Sequence, residues 1–126
     1  MKISATKVKT VLALTLLFTL FASTAIQASW FESRITLPRS GWWYTVQRES
    51  TMVTQRTRVT RNDYNVISNI ARANDDNMLS SNQTHRSGQD DERDHRTDVV
   101  GANTCGAFRS SNVNIFTNQV TLAWQP

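Results

Sequence analysis

"SNVNIFTNQVTLAWQP", Ser111 to Pro126, is two apolar-alternating runs separated by a polar pair. Val113, Ile115 and Thr117 recur at a spacing of two and share one face of an extended chain. Val120, Leu122 and Trp124 share another. Asn118-Gln119 between them reads either as a turn or as a bulge that reverses which side faces the core. A turn makes a tight hairpin or one rung of a stack, and a bulge makes one long bent strand. Both readings predict a mainly β chain: a small single domain that is either a short β-solenoid, built by stacking strand-turn-strand units, or a β-sandwich.

Working back from this ending, other segments carry the same signal. In "WFESRITLPRSGWWYTV", Trp30 to Val46, Ile35 and Leu37 share a face, Pro38 stops the strand and Ser40-Gly41 turns the chain into an aromatic, β-branched run. Adjacent Trp42 and Trp43 must point to opposite faces of a strand. One ring then serves the core and the other covers the far side, or is offered to a partner. In "TMVTQRTRVTR", Thr51 to Arg61, Met52, Thr54, Arg56, Arg58 and Thr60 fall on one side and Thr51, Val53, Gln55, Thr57 and Val59 on the other. That predicts a half-exposed strand whose Arg56 and Arg58 face an acidic partner or discourage edge pairing.

Two segments break the pattern. Val66, Ile67, Ile70, Ala71 and Asn74 recur at three-four spacing behind Asn62 and Asp63, which predicts one short helix over residues 62–75, with a strand-turn-strand alternative. Residues 75–98, "DDNMLSSNQTHRSGQDDERDHRTD", hold little apolar material beyond Met78 and Leu79 and read as a mobile polar and charged loop.

The chain opens with Lys2, Lys7 and Lys9, an apolar run from Val11 to Ala22, and small residues before Trp30. This is the layout of a secretory signal peptide, with cleavage expected after Ala28, or alternatively after Ala25. The apolar run is shorter than the ~20 residues of a spanning helix, so no transmembrane segment is expected once the signal is removed. Residues 29–126 then form one small β-rich domain, periplasmic or secreted to the cell surface. All three lysines leave with the leader, so the net charge of +4 falls to +1, with eleven arginines against ten acids. A nucleic-acid partner is not expected at that balance.

Cys105 is the one cysteine, so it is either buried or free to form an intermolecular disulfide. The richest chemical cluster is His85, Asp90, Asp91, Glu92, Asp94, His95 and Asp98, whose side chains suit a divalent metal. Arg86, Arg93 and Arg96 interrupt it and no zinc-ligand spacing is present, so no metal and no cofactor is expected. A Cys105–His95 nucleophile pair lacks a third orienting group, and no catalytic residue is assigned. Neither a G-x-S-x-G elbow nor a phosphate-binding loop occurs.

"SNVNIF", Ser111 to Phe116, followed by a polar turn and "VTLAWQ", Val120 to Gln125, resembles one repeat of the curlin subunits of bacterial surface fibres. "YTVQRESTMVTQRTRVTR", Tyr44 to Arg61, is similar to the Gln- and Arg-containing end of the nucleator type. The resemblance implies a secreted β-solenoid that stacks on its neighbours, as in a biofilm or adhesion fibre, with Asn and Gln ladders supporting the backbone pairing. Val113, Ile115, Phe116, Asn118, Val120, Leu122 and Trp124 would be the assembly strand. Without the resemblance, the expected function is still that of an exported, non-enzymatic envelope or extracellular-matrix protein acting by strand-mediated assembly or surface contacts, in a homo-oligomer or with an envelope protein. The alternative is a monomeric periplasmic β-sandwich acting as a binding protein, chaperone or inhibitor, with Trp42, Trp43, Arg56 and Arg58 as partner-binding residues. A small metal-dependent hydrolase is the third reading.

Overall fold

In strand β4 (Thr54–Asn62), Gln55, Thr57 and Val59 are buried while Arg56 and Thr60 are exposed, the alternation of a strand covered on one face. The computed structural model describes residues 29–111 and 117–126. The expected leader, residues 1–28, and the expected assembly residues Val113, Ile115 and Phe116 lie outside the described residues.

The described residues form nine strands and two antiparallel sheets. Besides β4 the strands are β1 (Phe31–Leu37), β2 (Trp43–Tyr44), β3 (Arg48–Glu49), β5 (Val66–Arg72), β6 (Gln83–His85), β7 (Asp91–Arg96), β8 (Asn103–Ser110) and β9 (Asn118–Gln125). One sheet runs β1-β9-β4-β7; the other runs β2-β8-β5-β6, with β3 also on β8. Leu37, Val59, Val120, Leu122 and Trp124 from the first sheet close on Val66, Ile70 and Phe108 from the second. The two sheets therefore bury their facing sides against each other, which makes the fold a small β-sandwich. A solenoid pairs successive turns in parallel, whereas every pairing here is antiparallel.

The ending quoted above is one straight strand from Asn118 onward. Asn118 and Gln119 are neither turn nor bulge: they pair with Leu37 and Thr36 of β1. The irregularity lies on the neighbouring strand, where Thr60 is skipped between Val59↔Leu122 and Arg61↔Thr121. That extra residue switches the inward positions of β4 from Val59 to Asn62. Buried Asn62 and Asn118 then pin the turn into β5. Asn118 Oδ1 accepts from the backbone of Asp63 and Tyr64 at 3.0 and 3.1 Å, and the amides of both asparagines donate to the Tyr64 carbonyl.

The helix expected over residues 62–75 is strand β5 instead. Val66, Ser68 and Ile70 face the other sheet, while Ala71 joins Cys105 and Ala107 in a second apolar cluster covered by Trp42, Tyr44 and Met78. A strand buried on both faces loses its period-two signature, and its apolar residues then mimic helical spacing. The expected charged loop, residues 75–98, contains β6 and β7. Met78 and Leu79 run beside β5, with the Leu79 N–H donating to the Ile70 carbonyl at 2.8 Å. Among the described residues no helix is long and apolar enough to cross a membrane.

Candidate functional site

Two features stand out: a sealed polar cluster between the sheets and a strand edge that no other described strand pairs with. The cluster arises because β4 and β5 each place a hydroxyl, Thr57 and Ser68, at an inward position. β6 and β7 place His85 and His95 beside them, and all four residues are at most 1% exposed. The hydroxyls lie 2.8 Å apart. Ser68 Oγ is 2.8 Å from His85 Nε2 and Thr57 Oγ1 is 2.9 Å from His95 Nε2.

Proton bookkeeping orders this network. Ser80 Oγ donates to Asn69 Oδ1, so at the 2.9 Å contact between Ser80 Oγ and His95 Nδ1 the imidazole must be the donor. Neutral His95 then accepts at Nε2. Thr57 donates to it, Ser68 donates to Thr57, and His85 Nε2–H donates to Ser68, so each short contact carries one proton. His85 Nδ1 is left without a hydrogen-bond partner, 3.9 Å from Asp91 Oδ2. Desolvation holds His85 down to about 4, although Asp91 favours the proton. His95 is likewise held down to about 4 by desolvation and by its neighbour His85.

Ser68, His85 and Asp91 are residue types of a hydrolytic triad, but His85 donates to Ser68 instead of accepting its proton, its Nδ1 makes no hydrogen bond to Asp91, and Ser68 is sealed between the sheets. The metal-suited cluster is divided. His85, Asp91 and His95 turn inward, whereas Glu92 and Asp94 face outward opposite Arg58 and Arg56. Among the described residues no group of three or more His, Cys, Asp and Glu converges as metal ligands. Cys105 lies on the outer side of β8, away from His95 between the sheets, so they form no nucleophile pair. Cys105 is 4% exposed and its thiol is pushed up to about 11, mainly by burial and further by Asp76. An intermolecular disulfide would require the folded chain to open there.

The expected partner-binding residues are engaged within the chain. Trp43 packs on Phe108 with ring centroids 6.3 Å apart, and Trp42 lies under the Arg109 guanidinium on the opposite side. Arg56 meets Asp94 at 3.2 Å, and Arg58 holds Asp90 through two hydrogen bonds. Charges that read as loop are thus cross-strand pairs. Of the expected assembly residues, Asn118, Val120, Leu122 and Trp124 are buried, and β9 is paired on both sides, by β1 and by β4. In the folded sandwich β9 has no edge to offer a neighbour, and these residues serve the core.

The outer strands are where a further strand could add. β2 and β3 have two residues each and β6 has three. β7 is longer but turns the charged Asp91 and Arg93 toward the sheet interface. Short length and inward charge both discourage strand addition. β1 has neither safeguard: it is seven residues long, with Phe31, Ser33, Ile35 and Leu37 facing inward and Glu32, Arg34 and Thr36 outward. Its edge is flanked by a shallow cleft lined by Trp30, Thr45, Val46 and Arg48, with the Arg48 guanidinium 3.6 Å over the Phe31 ring. The apolar spacing in this strand singles out Ile35 and Leu37 but not Glu32, Ser33 or Arg34. The signal available was the alternation of charge with apolar residues across "FESRITL".

No protein-family model matches the chain, and no curated protein matches it.

Proposed function

We propose that the protein is an exported, non-enzymatic contact protein of the cell envelope or extracellular surface, which acts by pairing an extended segment of a protein partner with the edge of β1. The observation that carries this reading is the contrast among the outer strands: β1 alone among those described is both long and free of inward charge. Main-chain hydrogen bonds along an added strand supply affinity, and the alternating side chains supply specificity. The leader-like first residues, with their basic start and apolar run, support export. The strand-mediated assembly anticipated for the last strand thus moves to the first.

The test is a photo-crosslinking amino acid placed at Arg34 or Thr36 in cells, with Thr60 on the outer face of β4 as control. Specific adducts at the β1 positions, abolished by Ser33→Lys, are expected. Ser33→Lys gives β1 the inward charge that β7 already has. Adducts at Thr60 with none at β1 would overturn the reading.

A further inference from the structure

We infer that the partner strand is β1 of a second copy of this chain, paired antiparallel about a two-fold axis through Ser33. This inference rests on the strand-addition reading above and identifies its occupant. Side chains directly opposite in an antiparallel pair share a face. With Ser33 on the axis, Glu32 stands opposite the partner's Arg34 and Arg34 opposite the partner's Glu32. The outward face therefore carries two opposite-charge pairs. Both side chains are exposed, Arg34 at 82% and Glu32 at 58%, and lie only 3.7 Å apart within the strand. On the inward face, Phe31, with the Arg48 guanidinium over its ring, stands opposite the partner's Ile35 twice.

The neighbouring registers are disfavoured by the same residues. An axis through Arg34 sets two guanidinium groups face to face, and an axis through Glu32 sets two carboxylates face to face. Like charges directly opposite are destabilising. A shift that leaves the axis between residues would place outward side chains opposite inward ones. The order Glu-Ser-Arg is therefore self-complementary in one register, as an interface between two identical surfaces must be. The result is an eight-stranded sheet made from the β1-β9-β4-β7 sheets of two copies.

The experiment is light scattering after size-exclusion chromatography on the exported protein and three variants. Wild type should be a dimer. Glu32→Arg and Arg34→Glu should each weaken dimerisation by at least about tenfold, because each sets like charges opposite. Mixing these two variants should restore a dimer, since one copy then carries two cations and the other two anions. Ser33→Cys should form a disulfide-linked dimer on oxidation, because directly opposite Cα atoms, roughly 4.5–5.5 Å apart, lie within disulfide reach. A wild-type dimer whose single reversals dimerise unchanged would overturn the register. A monomeric wild type whose β1 crosslinks identify a different protein would overturn the second copy but leave strand addition standing. A monomer without β1 adducts would overturn both.

Discussion

The hydroxyls of Thr57 and Ser68 meet at 2.8 Å, one from each sheet, and through them the two buried histidines share a single hydrogen-bonded chain. This arrangement makes stability depend on pH. Each histidine titrates near 6.5 in the unfolded chain and is held down to about 4 when folded. Between those values the unfolded state binds more protons, so stability is full above pH 6.5 and falls as the pH drops toward 4. The slope is bounded at roughly 1.4 kcal/mol per pH unit for each histidine, and the pair cannot both take a proton freely because each disfavours the other's charge. Urea denaturation at pH 7.5, 6.0, 5.0 and 4.5 should give a midpoint that declines with acid. A midpoint constant over this range would contradict the buried neutral pair.

Removing the Ser68 hydroxyl isolates the other half of the relationship. In Ser68→Ala the His85 Nε2–H loses its 2.8 Å acceptor, and the remaining hydroxyl, on Thr57, stands at 3.3 Å. Leaving a buried donor poorly satisfied costs about 1–3 kcal/mol. A loss of that size by denaturant titration is expected. In the wild type, long-range proton–nitrogen spectra should show His95 protonated at Nδ1 and His85 at Nε2; the opposite tautomers would break this chain of donors.

Much of the sandwich can be read from alternation, and the exceptions have physical causes. β4 declares its two faces because one is covered and the other solvated. β5 does not, because Ala71 is buried on one side while Val66 and Ile70 are buried on the other. The strand β7 is invisible in "DDERDHR" because its outward charges are matched by Arg56 and Arg58, more than thirty residues away in sequence. The polar cluster was hidden for the same reason. Thr57, Ser68, His85 and His95 sit on four strands, and no spacing along the chain records that they meet. Trp43 and Trp42, by contrast, divide between core and outer face as adjacent strand residues must.

Gly106 shows how tightly the sheets approach. A Cβ built there would stand 2.9 Å from Phe108 Cε2 and 3.1 Å from Trp124 Cγ. The Trp124 indole is fixed from its other end, since its Nε1–H donates to Gln55 Oε1 at 2.9 Å, so the ring cannot yield without losing that bond. Gly106→Ala should therefore destabilise by about 1–3 kcal/mol through overpacking. Gly88→Ala is a useful comparison: nothing lies within 4 Å of its Cβ, so its cost comes from the positive φ of 75° alone. A loss near zero for Gly106→Ala would show that Trp124 and Phe108 rearrange freely.

Cys105 provides a readout of opening at the second apolar cluster. Its sulfur lies 3.8 Å from the Ala71 carbonyl beneath Trp42, Tyr44 and Met78, and burial raises the thiol to about 11. Alkylation requires the thiolate, which at pH 8 is scarce in the native state even if the reagent could reach it. Iodoacetamide should therefore label the folded protein far more slowly than the urea-unfolded chain. Tyr44→Ala, which removes part of the cover, should accelerate native labelling without altering β1. Because β1 lies in the opposite sheet, the same variant should leave the proposed dimerisation through Glu32, Ser33 and Arg34 unchanged. Native labelling as fast as in urea would show that the cluster does not protect the thiol, and loss of the dimer in Tyr44→Ala would tie the two sheets together in assembly.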